Sequence, residues 1–374
     1  MQIIITCIIA TSRQGFGPGQ QDWDYVEVRS GAYEFWWLYE TTAQVVNVTE
    51  KPLVIWLQGG PGSSSTGFGN LAEIGPLDEN LNTRSHTWVK DVNLLFIDNP
   101  VGTGYSYVDK ETYLTRTNKQ IANDLVTCMN GFYKKRPEFR NVSLYITSQS
   151  YGGKMAAQFA LELYKKGFEN IKGVNLIDPW ISPINSVLHW APFLLNVGAI
   201  DKQGYKEVDA SAKVTQKHLK KGLYLNATYS WAYTQQIIMS VTKNINFYNI
   251  LKKVNSNYEV DTKIGLLMNG KIKEALKLNV TWGSQSGIVF RELMVDFMKP
   301  VIHIGTIAWV DSMKWSRSNE WPSVPRTALS VNGINEGYQK KLGQFAVYWV
   351  TRAGHEVPAD NPIAMDRILK DLIN

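Results

Sequence analysis

Cysteine is scarce. The 374 residues include only Cys7 and Cys128, which excludes a disulfide framework and any metal site built on thiolates. Long hydrophobic runs are also missing. The apolar start, Ile3 to Ala10, is too short to cross a bilayer, and no later segment reads as a span. Charge of one sign does not dominate, since 39 Lys and Arg stand against 33 Asp and Glu, a net +6. The basic residues fall in short scattered runs, Lys134-Lys135-Arg136, Lys165-Lys166, Lys220-Lys221 and Lys340-Lys341. These read as solvated helix faces rather than a nucleic-acid stripe, so no nucleic-acid partner is expected. The Gly-rich run at Gly59 is not followed by Gly-Lys-Ser/Thr, which removes a phosphate-loop reading. Neither a metal nor a cofactor is called for.

Hydrophobic residues make up 44% of the chain, enough for one large core, or a core and a cap. Residues 2–12 resemble the core and cleavage region of a signal peptide without its basic first part, so 1–12 is expected to be such a segment. Sequons at Asn47, Asn141, Asn226 and Asn279 mark candidate glycosylation sites and favour the secretory route.

Tyr25–Arg29 and Ala32–Tyr39 read as a hairpin around Ser30-Gly31. Pro52–Leu57, Val92–Ile97, Ser143–Thr147 and Gly173–Ile177 are apolar runs that read as strands, the first two as strands buried on both faces. Helical periodicity lies between them, with Ile121, Leu125, Cys128, Met129 and Phe132 on one face. This alternation predicts an α/β fold, a mostly parallel central sheet with helices on both faces. From 181 to 286 the pattern turns polar, helical and Lys-rich, as in Lys213–Leu225 and Thr228–Thr242. That stretch is expected to be a helical cap inserted into a core made of 22–180 and 287–374. A strand at Phe345–Val350 and a helix at Ile363–Ile373 close the chain.

Functional groups collect at the carboxyl ends of such strands. One strand runs into Ser148-Gln149-Ser150-Tyr151-Gly152-Gly153, and a helix-forming run follows at once. A serine on so sharp a strand-to-helix turn is how an α/β-hydrolase presents its nucleophile. Of the five histidines, His355 stands just after the last strand, where such a site takes its base. The N–H of Tyr151 and a glycine of Gly59-Gly60-Pro61-Gly62 are candidates for the oxyanion hole.

Together, Trp56–Gly62, Asp98–Tyr107, Ser150–Lys154 and Gly354–Pro358 resemble the serine carboxypeptidase family. Gln58, Ser64–Asn70 and Trp180–Pro183 point to its retinoid-inducible branch. The resemblance runs from about Asp22 to the end. It implies an α/β-hydrolase fold with a helical cap, a secreted or lysosomal location, and release of C-terminal residues from peptides at acidic pH. It puts the nucleophile at Ser150, the base at His355 and the oxyanion donors at Gly60 and Tyr151. It assigns recognition of the substrate carboxylate to Gln58, Glu73 and Gln149.

Two departures stand out. Gln149 replaces a family Glu, so the pair with Glu73 cannot share a proton as two carboxyls do, and a changed, flatter pH dependence of binding is expected. The family's acid, on a loop after a strand, has no counterpart, because only 301–308 separate Pro300 from Trp309. One core strand is therefore expected to be missing near residue 305. Asp296 and Asp311 lie between Ser150 and His355 but match flanking positions rather than the acid. The reading is a serine-type carboxypeptidase, impaired if the acid is lost. The alternative is a non-catalytic secreted glycoprotein of the same fold that binds peptides or a protein partner.

Overall fold

The computed structural model describes residues 15–253, 256–300, 310–311 and 313–374. The expected signal segment at 1–12 and the missing strand expected near residue 305 lie outside them.

β1 (Gln21–Arg29) and β2 (Ala32–Tyr39) form the hairpin, in antiparallel register from Gln21↔Tyr39 to Arg29↔Ala32. β2 then pairs antiparallel with β4 (Asn93–Asp98) and with the short β5 (Tyr107–Val108). Beyond β4 the sheet is parallel, through β3 (Leu53–Leu57), β6 (Leu144–Gln149) and β7 (Ile171–Ile177). The order is β1-β2-β4-β3-β6-β7. The sheet is thus mixed, and its parallel part carries the loops of interest.

Why the central runs are apolar at every position is now visible. Along β3 and β4, Ile55, Leu57, Leu95 and Ile97 join one buried cluster, while Val54, Trp56, Leu94 and Phe96 join another. Successive side chains of a strand point to opposite faces, so a strand covered on both sides needs no polar position. The first cluster includes Ile121, Leu125, Met129 and Phe132 of α1 (Asn118–Lys135) and Met155 and Phe159 of α2 (Tyr151–Lys165). Thr117 caps α1 by accepting from the Gln120 N–H, and Lys134 and Lys135 sit in its last turn, both favourable to a helix dipole.

Only helices lie between β7 and α8 (Gly287–Phe297) among the described elements: α3 (Pro183–Asn196), α4 (Lys202–Lys220), α5 (Tyr224–Val241), α6 (Ser256–Leu267) and the single turn α7 (Lys273–Ala275). The helical segment expected over 213–225 is divided. α4 ends at Lys220 and α5 starts at Tyr224, with Gly222 at φ 71° in the turn, a backbone state glycine adopts without strain. Ala191, Leu194, Ile200, Val208 and Ile238 give this region a small core of its own.

After it, β8 (Thr327–Val331), β9 (Ile334–Leu342) and β10 (Phe345–Val350) form a separate antiparallel sheet, ordered β10-β9-β8. The loop holding His355 follows β10. The short α9 (Val357–Asp360) and α10 (Pro362–Ile373) end the chain, and α10 packs Met365, Ile368 and Leu369 into the second cluster.

Candidate active site

Ser150 is the single residue between β6 and α2, and its backbone lies at φ 58°, ψ −127°. A β-carbon strains that conformation by about 1–3 kcal/mol, so neighbours must hold it. The Ser150 N–H donates to Ile177 O at 3.1 Å, and the N–H groups of Gly153 and Trp180 donate to Ser150 O at 2.9 and 2.8 Å. Close approach explains two glycines here: a Cβ on Gly152 would lie 2.3 Å from Leu57 O, and one on Gly59 2.6 Å from Ser150 Cβ. The elbow therefore fits against β3 only because these positions lack side chains. Tyr151 opens α2, so its N–H belongs to the first turn, where helix geometry supplies no acceptor.

His355 is fixed on three sides. Its N–H donates to Tyr248 O at 2.8 Å, its C=O accepts from Gln149 Nε2 at 3.0 Å, and its ring lies 5.3 Å from that of Tyr248. Its Nδ1 is 2.5 Å from Asp178 Oδ2. Burial opposes the imidazolium, but the hydrogen bond and charge of Asp178, aided by Glu356, outweigh it and hold the ring's pKa above the usual histidine value. Partial desolvation at the cavity edge opposes the Asp178 charge, yet the hydrogen bond and charge of His355 hold that carboxyl below its ordinary range.

Asp178 was not among the residues predicted for the site. The residue follows β7 directly, and its place at the carboxyl end of a parallel strand beside the strand that leads into Ser150 was the available signal. Asp296 and Asp311 are engaged elsewhere: Asp296 accepts from the Asn118 N–H at 2.9 Å, and Asp311 from Trp321 Nε1 at 3.0 Å.

The predicted carboxylate-binding residues also come together. Glu73, on the wide helical segment Ser65–Ile74, accepts from Gln58 Nε2 at 3.1 Å and from Gln149 Nε2 at 3.0 Å, while Gln58 Nε2 also donates to Gln149 Oε1 at 2.6 Å. All three are buried. Burial, reinforced by the charge of Glu356, pushes Glu73 up to about 8 despite the Gln58 hydrogen bond.

Two adjoining cavities meet at Ser150, Gly60 and His355. One, of about 680 Å³, has Gln58, Glu73 and Gln149 in its wall. The other, of about 640 Å³, is lined by Tyr151, Asp178 and an aromatic set that includes Trp180, Trp190, Trp231 and Phe297. A serine on a strained elbow, a histidine with a carboxylate on Nδ1, helix-terminal N–H groups and a neutral polar pocket are the parts of an acyl-transfer site.

The family model for serine carboxypeptidases matches residues 13–304 and 294–374. The chain belongs to the serine carboxypeptidase family. Retinoid-inducible serine carboxypeptidase of Rattus norvegicus is 39% identical over 401 residues, covering 91% of this chain and 89% of that one. The Homo sapiens protein of the same name is 38% identical with the same coverage, and serine carboxypeptidase-like 51 of Arabidopsis thaliana is 31% identical, covering 96% and 95%. The solved structure of Kex1(delta)p, a prohormone-processing carboxypeptidase from Saccharomyces cerevisiae, superposes with a TM-score of 0.81 at 20% identity, covering 95% of this chain and 91% of that one. The fold is that of the α/β-hydrolases, and the function is that of a serine-type carboxypeptidase, acting on peptides. The family match falls into two pieces that meet at 294–304. The rat alignment is longer than this 374-residue chain, so some of its positions have no counterpart here.

Proposed function

We propose that the chain hydrolyses the last peptide bond of substrates with a free C-terminus, through an acyl-enzyme on Ser150. The observation that carries this reading is the elbow at φ 58°, with Ser150 and His355 in the wall of one cavity. His355 Nε2 takes the Ser150 hydroxyl proton as Oγ attacks the carbonyl carbon. The N–H groups of Tyr151 and Gly60 hold the oxyanion, and the α2 N-terminus adds a favourable field. His355 then returns the proton to the leaving amine, and a free amino acid departs. Water, deprotonated by the same nitrogen, releases the shortened peptide.

The substrate's terminal carboxylate fits the Gln58–Glu73–Gln149 cavity. Below about pH 8 Glu73 holds a proton, so the trio is neutral and supplies hydrogen-bond donors with no opposing charge. The aromatic cavity on the other side of Ser150 suits an apolar side chain on the acyl part of the substrate. Residues 181–286, the proposed cap over a core of 22–180 and 287–374, supply its Trp190 and Trp231 walls.

A secretory route ending outside the cell or in the lysosome fits the sequons. Asn47, Asn141, Asn226 and Asn279 are all exposed, which a glycan requires. No described helix is long and apolar enough to cross a membrane. The missing family acid, supported by the two-piece family match, is the feature that would impair catalysis.

A fluorophosphonate probe tests the acylation step. One covalent adduct on Ser150, absent from Ser150→Ala, is expected. A folded protein that takes no adduct would overturn the reading and favour a non-catalytic peptide binder.

A further inference from the structure

Residues 1–14, 254–255, 301–309 and 312 contain no Asp or Glu, so every side-chain carboxylate of the chain is among the described residues. Of these, Asp178 is the one that hydrogen-bonds the His355 ring. We infer that Asp178, at the carboxyl end of the strand beside the nucleophile strand, has taken over the positioning role of the absent family acid. The inference rests on the proposed roles of Ser150 and His355.

The geometry places the acid relative to the nucleophile rather than to the lost segment. Gln149 of β6 pairs with Ile177 of β7. From there the Asp178 loop is tied to the serine on both sides: Ile177 O accepts from the Ser150 N–H, and the Trp180 N–H donates to Ser150 O. Pro179 fits against Gly153, where a Cβ would come within 2.4 Å of the proline Cβ. Asp178 itself sits at φ 40°, a left-handed conformation that Asp tolerates better than most residues but that still costs free energy. That backbone turn directs the carboxylate at His355 Nδ1 across 177 positions of sequence. On Nδ1 a carboxylate fixes the tautomer that leaves Nε2 free to accept the serine proton, and it stabilises the imidazolium that forms.

The pair is not sealed from water, since the Asp178 side chain is 59% exposed and the His355 side chain 21%. Solvent competes for an exposed carboxylate, so its removal is expected to cost less than the roughly 10⁴-fold of a buried triad acid. Among the described residues, the other titratable or charged groups around the His355 loop include Glu356, Tyr248, Lys252, His189, Arg352 and Asp360, the last accepting from the Gly354 N–H at 2.8 Å. Glu356 is the next residue and is 3.9 Å from Lys252, Tyr248 packs on the ring, and His189 and Arg352 line the same cavity. Among the described residues, the hydrogen bond at Nδ1 is the one to Asp178.

The test compares wild type with Asp178→Asn and Asp178→Glu, all checked for folding by thermal melting. The pH profile of the fluorophosphonate labelling rate and an NMR titration of His355 are the two readouts. Asp178→Asn is expected to label about 10²-fold more slowly, with the His355 titration moved to lower pH, and Asp178→Glu to recover part of both. Wild-type labelling and an unmoved titration in Asp178→Asn would overturn the inference. If wild type itself takes no label, the acyl-transfer reading fails, and the titration still decides whether Asp178 holds His355. Should Asp178→Asn not fold, the same comparison is read on Asp178→Gly, which suits the backbone at φ 40° and removes the carboxylate; an unchanged titration and labelling profile there counts against the inference.

Discussion

Gln149 donates from one amide nitrogen to the backbone carbonyl of His355 and to Glu73 Oε2, each at 3.0 Å. The residue that precedes Ser150 thus links Glu73 to the His355 loop.

A glutamate at this position could keep the bond to His355 O only while protonated. Gln149→Glu also sets a second buried carboxyl against Glu73, and such a pair shares one proton. The variant's KM is expected to rise steeply as pH rises through the weakly acidic range, where wild-type KM changes little. Superimposable pH profiles of the two proteins would refute the assigned role of Gln149.

In the proposed carboxylate pocket, Glu73 is expected to set the alkaline limit of binding. Its folded-state pKa of about 8 lies above the 4.5 of the free side chain, so it is neutral below about 8 and repels a substrate carboxylate above it. KM is expected to rise above that pH in wild type and to stay flat in Glu73→Gln. The sign for stability follows from the same shift. The folded chain holds a proton that the unfolded chain loses above 4.5, so wild type loses stability relative to Glu73→Gln between 4.5 and about 8. The slope is up to about 1.4 kcal/mol per pH unit. Melting temperatures measured across that range check it.

His355, the proposed base, is expected to set the acid limit. It must be neutral to take the serine proton, and Asp178 holds its pKa above the usual histidine value. The activity is therefore expected to fall as pH drops through a value above 6.5, leaving a window near neutrality rather than the acidic optimum that the family resemblance implies. A kcat/KM profile that keeps rising toward pH 5 would contradict this.

Gly152→Ala tests the elbow. A Cβ 2.3 Å from Leu57 O cannot be accommodated without moving β3 or α2, and such overpacking costs about 1–3 kcal/mol. A lowered melting temperature with sharply slower probe labelling is expected.

The sequence made the elements of the sheet legible where burial on both faces forces apolar runs, as at Leu53–Leu57 and Asn93–Asp98. The proposed site positions Ser150, Gly60 and His355, which line one cavity, stood out because their turns have strict backbone needs. The helix boundaries within 181–286 were harder, since the break at Lys221–Leu223 interrupts a polar pattern with little periodic signal. Asp178 escaped because its partner is 177 residues away, and a lone Asp-Pro after a strand reads as ordinary turn chemistry. Only the strand pairing of β6 with β7 brings it to the histidine.

Release of one C-terminal residue from a peptide with an apolar penultimate side chain, followed by mass spectrometry at neutral pH, tests the central claim most directly. Stepwise loss of single residues from the free acid, no loss from the C-terminally amidated peptide, and no activity in Ser150→Ala are expected. Tight binding of the free acid with no product in any of the three would contradict it.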